Sequence, residues 1–449
     1  GQGHKAKLIQ YPYSALIFGN PKYDKEYEKN IKKENGKLIY RFDNDTTIIN
    51  KMTKDPRSFG WGGLYIGTIN NFGDDKYAGG FGAESSQSKG GPSYTIDMTG
   101  HDLHIQTDIS PEEGTTGSQP MWTSAGIAAY REGTITFDNP GAININTNIN
   151  YYYGSGIRVS TAQPTDHGSH VIINNDNKPE HAVKIRGGIS SAGYEMNYRA
   201  LEVFTQPKSA GNSIIIKGLV DIETEGGAAT MFARENGSYI SVGGGRLIAK
   251  NYDSMWTNSE KARIDVNMIT DADGNVTDAG NNPVEIEGHA TTMTTWYGTG
   301  GIINIGLTTG DSKFTGEFAG AGTQNMWLRN GAVWNNTGIV YNPWSGSNYI
   351  SDISSHVTWL HGGNDKSSAG NIIQNSASDL YIDNLDGCTK LFMEHDLNYV
   401  VPEFAKNPDG SDKVDKDGNK IKNEDAGQKK IFGKLGNVII AKAHKREGK

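Results

Sequence analysis

The chain has 449 residues, a net charge of −8, 58 glycines, a single cysteine, 35% hydrophobic residues and 21% charged residues. This balance excludes a disulfide scaffold and speaks against a nucleic-acid partner, which needs a basic face to release phosphate counterions. It is also unlike a helix-rich enzyme dominated by Ala, Leu, Glu and Lys. No run of about 20 apolar residues exists to form a transmembrane helix, and the N-terminus has no apolar signal core, so the chain reads either as cytoplasmic or as one whose leader has been removed.

In chain order, residues 20–40 are rich in Lys, Glu and Tyr, which suits a solvated cap over the exposed first rung of a repeat structure. We place an N-terminal cap and first rungs at 1–60 and a stalk with projecting loops at 61–378. From about 121 to 395, short β-branched strands are separated by Gly/Asn turns too closely spaced for helices: Ala142-Ile-Asn-Ile-Asn146, Val171-Ile-Ile173, Ser213-Ile-Ile-Ile216, Tyr239-Ile-Ser-Val242, Arg263-Ile-Asp-Val266, Val284-Glu-Ile286, Ile302-Ile-Asn-Ile305 and Asn371-Ile-Ile373. A strand of a few residues with one apolar face cannot bury that face alone, so the pattern calls for stacking.

A second periodicity agrees. Val203-Phe204, Met231-Phe232, Met255-Trp256, Thr295-Trp296, Met326-Trp327, Thr358-Trp359 and Leu391-Phe392 recur at aromatic spacings of 28, 24, 40, 31, 32 and 33 residues. Repeats of this size mean a solenoid or a propeller, and the two or three short strands per repeat favour the solenoid. The expected fold is all-β, a right-handed parallel β-helix of about fifteen rungs and on the order of 70 Å long. Trp256, Trp327 and Trp359 are then expected as core stacks between rungs, and Cys388 as a small buried thiol. Residues 402–428 are polar and turn-forming, a projecting loop, before Gly436-Asn-Val-Ile-Ile-Ala441 resumes a strand.

Near the C-terminus, Asp379-Leu-Tyr-Ile-Asp-Asn-Leu-Asp-Gly387 followed by Thr389-Lys-Leu-Phe-Met-Glu-His-Asp396 resembles the stability (autochaperone) segment of pertactin-like and AIDA-like passenger domains of Gram-negative type V autotransporters. Leu380, Ile382, Leu385, Gly387, Phe392 and Asp396 occupy the matching places, while Cys388-Thr-Lys390 lacks the second glycine often seen there. The resemblance implies autochaperone-like rungs over 379–449. It also implies a passenger secreted across both membranes and displayed from the outer membrane at the cell surface. The translocator barrel that would anchor it is absent from this chain, so the outer membrane is met only through a barrel outside these residues.

Catalytic patterns are weak. Gly310-Asp-Ser-Lys-Phe314 lacks the glycine that follows a protease nucleophile. Glu223 with Glu225, and Glu285 with Glu287, place carboxylates on one side of a strand, as a polysaccharide lyase or hydrolase could use, but alternate outward positions are commonly charged for solubility alone. Lys184-Ile-Arg186 resembles the basic triplet of some pectin-cleaving enzymes only faintly. His101 with His104, and His167 with His170, lack a third ligand, and the Asp271-Ala-Asp-Gly-Asn275 loop departs from a calcium loop in its glycine position and missing Glu. No catalytic residue, metal or cofactor is assigned.

Exposed aromatics are the candidate binding residues, because flat rings stack on sugars and carry apolar area at little entropic cost. These are Tyr151, Tyr152 and Tyr153, of which at least one must face outward, with Trp296 and Tyr297. The expected function is that of an adhesin. Its partners would be a host matrix or cell-surface protein or glycan, or the same protein on a neighbouring cell, as in aggregation and biofilm. A β-helix enzyme that degrades polysaccharide is the alternative, and converging carboxylates in a groove would distinguish it.

Overall fold

The computed structural model describes residues 4–7, 16–18, 30–52, 66–71, 93–109, 124–149, 153–161, 165–188, 197–224, 229–292, 300–342, 347–350, 354–393, 396–400, 402–405, 411–424, 426–427 and 429–445. The fold is all-β. Among the described residues every regular element is a strand, apart from short 3-10 turns such as Pro179–His181 and Lys366–Ser368, and no helix is long and apolar enough to cross a membrane. Two compact units divide the chain, the first comprising 1–224, 230–245 and 261–264, the second 225–229, 246–260 and 265–449.

The first unit is built from three ladders of parallel strands. One runs through Lys37–Arg41, Ser93–Asp97, Thr134–Asp138, His170–Ile173 and the start of Ser213–Thr224. The second runs through His4–Lys7, Thr46–Met52, Leu103–Ile109, Ile143–Ile149, Val183–Gly187 and the end of Ser213–Thr224. The third runs through Ile66–Asn71, Ser124–Tyr130, Tyr153–Ser160 and Asn197–Phe204. Consecutive strands belong to different ladders, and each pairs with the equivalent strand of the next tier, so one passage through all three ladders makes one tier.

Registration explains why the β-branched triplets form these strands. Tyr40, Ile96, Phe137, Ile173 and Ile216 fall in one column, Ile48, Ile105, Ile145, Ile185 and Ile222 in another, and Ile69, Ile127, Ile157 and Leu201 in a third. Apart from Tyr40, which is half-buried, every one of these side chains is buried. Each contributes about 1.5–3 kcal/mol of burial, which a lone strand of this length could not collect. Where the third ladder bends against the second, Gly126 and Gly156 leave room for Ile145 and Ile185; a Cβ at either position would lie 2.6 Å from an isoleucine methyl.

At its start, Ile31–Glu34 folds back antiparallel on Lys37–Arg41 through Asn35 and Gly36, both with positive φ (49° and 78°), the turn geometry Asn-Gly favours. Part of the segment read as a cap therefore already belongs to the first ladder.

In the second unit, one ladder joins Val284–Thr292, Lys313–Thr315, Val333–Thr337, Gly370–Asn375 and Thr389–Met393. Another joins Ile302–Leu307, Thr323–Leu328, Ser355–His361, Leu380–Asp386 and Val438–His444. Inside, Phe314, Trp334 and Ile372 share a column, and Phe314 stacks on Trp334 with ring centroids 6.0 Å apart. Polar ladders run alongside: Asn325 donates to Asn304 and Asn304 to Asp265, both at 2.9 Å. The columns end on side chains left 45% and 46% exposed, Leu391 and Ile440.

Among the described residues, three antiparallel arms interrupt this unit: Met268–Thr270 with Val276–Ala279, Ile339–Asn342 with Ser347–Ile350, and Asp396–Val400 with Lys429–Lys434. The segment read as a polar loop over 402–428 thus extends a paired arm, with further bridges at Phe404 and Lys422 and at Val414 and Lys420. Its Asp415 accepts from the amides of Asp417 and Asn419 at 2.9 and 3.0 Å, and Asp271 does the same for Asp273 and Asn275. Both Asp-x-Asp-Gly-Asn strings are therefore hairpin turns. Cys388 is half-buried, not a core thiol. It sits on the turn after Leu380–Asp386, where its backbone does the pairing, with N and O bonded to Gly363 at 2.8 and 2.9 Å.

Two titratable groups in this unit oppose each other. Asp253 accepts from Thr291 Oγ1 at 2.8 Å, and loss of hydration pushes its carboxyl up to about 6. His289 Nδ1 accepts the Glu317 amide at 2.9 Å, and burial pushes its imidazole down to about 4. The raised acid stabilises the fold below pH 3.8, a contribution lost as pH rises through 6. The depressed base costs stability at low pH, and that cost disappears as pH rises from 4 to 6.5. Each is worth about 3 kcal/mol at full extent. Relative to wild type, Asp253→Asn will therefore make stability rise more steeply with pH between 4 and 6, and His289→Gln will make it fall, in urea unfolding across that range.

Candidate functional site

The alternation of the second unit's long ladder sets one face outward. In Thr323–Leu328, Met326 and Leu328 are buried, so Trp327 between them points out. Trp327 registers with His361, His361 with Asp386, and Asp386 with His444. The neighbouring outward column holds Asn304, Asn325, Trp359, Asn384 and Lys442. Apart from the buried Asn304 and the exposed Lys442, these side chains are half-buried, and the two columns stand side by side.

Their rings form a continuous series. Trp327 stacks on His361 at 4.7 Å, Trp359 lies nearly parallel to His361 at 5.4 Å, and Trp359 stacks on His444 at 4.7 Å. Short side chains hold the imidazoles in place. His361 Nδ1 is 2.8 Å from Asp386 Oδ2, and His444 Nε2 is 2.9 Å from Asn384 Oδ1, whose own amide donates to the Thr358 carbonyl at 3.0 Å. A second His–carboxylate pair, His356 Nε2 to Asp383 Oδ2 at 2.8 Å, lies on the same strands. Asp386 fixes the proton of His361 on Nδ1 and turns its Nε2 away from the carboxylate.

Chemically this strip offers flat apolar rings, imidazole edges held in one tautomer, amides and the Lys442 ammonium. That is the equipment of a binding face for a ligand with both C–H faces and hydroxyl or carbonyl groups. Hydrolysis would need a positioned nucleophile or a second acid across a scissile bond. The groups in register with the His361–Asp386 pair are the rings of Trp327 and His444. Among the described residues, no group of three or more His, Cys, Asp or Glu could hold a metal.

The strip is not where the sequence reading placed binding. Tyr151, Tyr152, Trp296 and Tyr297 lie outside the described residues, and Tyr153 opens the strand Tyr153–Ser160 with its side chain likewise outside them. Conversely, Trp256, Trp327 and Trp359 were expected in the core and are all partly exposed. The methionines Met255 and Met326 take the core positions instead, which sends the residue that follows each to the other face. The repeat alignment also shifts by two residues here: Trp327 pairs with His361, and Trp359 with Asn325. Leu391-Phe392 belongs to a different ladder, where Phe392 registers with Ile373.

Several residues of the enzyme-like patterns are engaged by neighbouring side chains. Arg186 bridges Asp221 at 3.1 Å and Glu223 at 3.5 Å, Arg246 lies 3.6 Å from Glu285, and Glu225 is outside the described residues. Ser312 is buried in a turn, with Oγ accepting the Val284 amide at 3.0 Å and 2.6 Å from Thr309 Oγ1. His101 faces Asp45 at 3.4 Å, while His170 Nδ1 is 2.6 Å from Ser213 Oγ and burial lowers its imidazole's pKa. The chain matches no protein-family model, no curated protein and no solved structure.

Proposed function

We propose that this chain is an adhesin, a right-handed parallel β-helix carried at the cell surface as an autotransporter passenger, and that it binds a host protein or glycan through the outer ring strip of its second unit. The observation that carries this reading is the series Trp327, His361, Trp359 and His444, aligned by strand register on an outward face. Support for the β-helix comes from parallel ladders whose consecutive strands change ladder and whose inward columns are apolar. The surface location rests on the resemblance of 379–396 to the passenger stability segment.

Trp327→Ala with Trp359→Ala tests the strip, since both rings are partly exposed and their loss leaves Met326 and Leu360 in the core. On an array of glycans and matrix proteins the doubly substituted chain is expected to lose at least about tenfold in affinity for the wild-type ligand, as central aromatic anchors do. Unchanged affinity at an unchanged unfolding midpoint would remove the strip from the binding site.

A further inference from the structure

The third ladder in the first unit carries a buried arginine–glutamate pair. Arg158 and Glu202 are registered partners. Their Nη1 and Oε2 atoms are 2.9 Å apart, and only 8% and 7% of the two side chains is exposed. Ser155 Oγ donates to the same carboxylate oxygen at 3.2 Å.

Two more arginines stand around this carboxylate. The Arg199 guanidinium lies 5.0 Å over the Phe232 ring, and that of Arg234 lies 4.8 Å over Phe204. Burial by itself would push the Glu202 carboxyl up; Arg158, then Arg199 and Arg234, with the Ser155 hydroxyl, outweigh it and hold the group below the usual carboxylate range. The other carboxylate paired here is Glu235, 3.7 Å from Arg234 Nε. Three guanidiniums thus surround two carboxylates.

Two features turn this from an ion-pair network into a candidate site. Arg158 Nε is buried and makes no hydrogen bond, a cost that a native site ordinarily meets with water or a ligand. Phe204 and Phe232 lie beneath the guanidiniums of Arg234 and Arg199, and Arg234 keeps 36% of its side chain in solvent. A guanidinium stacked on a ring still presents its donor edge, the fork that matches paired oxygens of a carboxylate or sulfate.

We propose that this patch binds the anionic group of an acidic saccharide, a sulfate ester or a uronate carboxylate, with Arg199 and Arg234 as the clamp and Arg158 behind them. A nucleic acid fits less well, because the chain's net charge is −8 and the cluster is a local patch, whereas phosphate binding draws on an extended basic track. The site lies in the other unit from the ring strip and stands whether or not that strip binds a ligand.

The test titrates the intact chain, at low and at physiological salt, with four probes: a heparin-derived hexasaccharide, a hyaluronan hexasaccharide, neutral maltohexaose and a single-stranded oligonucleotide. Saturable, salt-sensitive binding of the sulfated probe, the carboxylate-only probe or both is expected, and which of them binds identifies the anion. Arg199→Gln with Arg234→Gln removes two partly exposed donors without stranding Glu202, and is expected to weaken that binding at least about tenfold. Its unfolding midpoint is measured alongside. Arg158→Lys retains a cation against Glu202 while removing the Nε donor, and is expected to weaken binding as well. Absence of binding by both acidic probes, equal binding of maltohexaose, tighter binding of the oligonucleotide, or wild-type affinity in the folded double variant would each overturn the proposal.

Discussion

Replacing Trp334 by alanine will destabilise the second unit by about 3–5 kcal/mol, the range for truncating a buried Trp or Phe. Trp334 is completely buried, stacks on Phe314 at an interplanar angle of 15°, and donates its indole N–H to the Gly316 carbonyl at 3.0 Å. Alanine would open a cavity between tiers and leave that carbonyl short of a donor. Phe314 and Ile372, registered on either side, are themselves fully or almost fully buried and fixed by parallel pairing, so they have little freedom to close the gap. The measurement is the denaturant midpoint of the unit; a loss below about 1 kcal/mol would mean that the tiers collapse around the missing ring.

In the first unit the largest single effect is expected at Arg158. Arg158→Ala leaves the buried Glu202 carboxylate without its nearest cation, and removing one partner of a buried pair costs about 3–5 kcal/mol. Replacing both partners, Arg158→Met with Glu202→Leu, takes away both charges and their desolvation together, and is expected to cost far less than Arg158→Ala alone. The difference between the two variants measures the penalty of the stranded charge. It is read from urea unfolding of the single and double variants. Equal losses would mean that packing of the Arg158 stem, and not the charge, matters.

These two sites show what the sequence could and could not reveal. Trp334 stands outside the aligned aromatic series, in Val333-Trp-Asn-Asn-Thr337, where apolar and polar residues do not alternate. The Ile- and Val-rich runs at 143–145, 171–173 and 214–216 were legible, and became strands because one face of each could be buried only by stacking. The ring strip was hidden by parity. In Met326-Trp327 both residues are apolar, and composition does not say which of the two faces inward; only the register of Met326 with Leu360 settles it. His361 and His444 are far apart in sequence and carry no motif, so their place beside Trp359 follows only from pairing of the strands that hold them.

Arg158 and Glu202 were equally illegible. Charged residues at alternate strand positions normally mark a solvated face, and nothing local says that this one is covered. The arm over 396–434 was missed for the opposite reason: its polar, Lys- and Asp-rich composition reads as loop, yet its ends pair antiparallel, Asp396–Val400 against Lys429–Lys434. Such an arm has little apolar surface to announce it.

The measurement that bears most directly on the proposed function is binding of the intact chain to an array of glycans and matrix proteins, with turnover of the same polysaccharides assayed in parallel. The adhesin reading predicts saturable binding without product, lost when Trp327 and Trp359 are both replaced by alanine. Depolymerised glycan would contradict it and establish the degradative alternative.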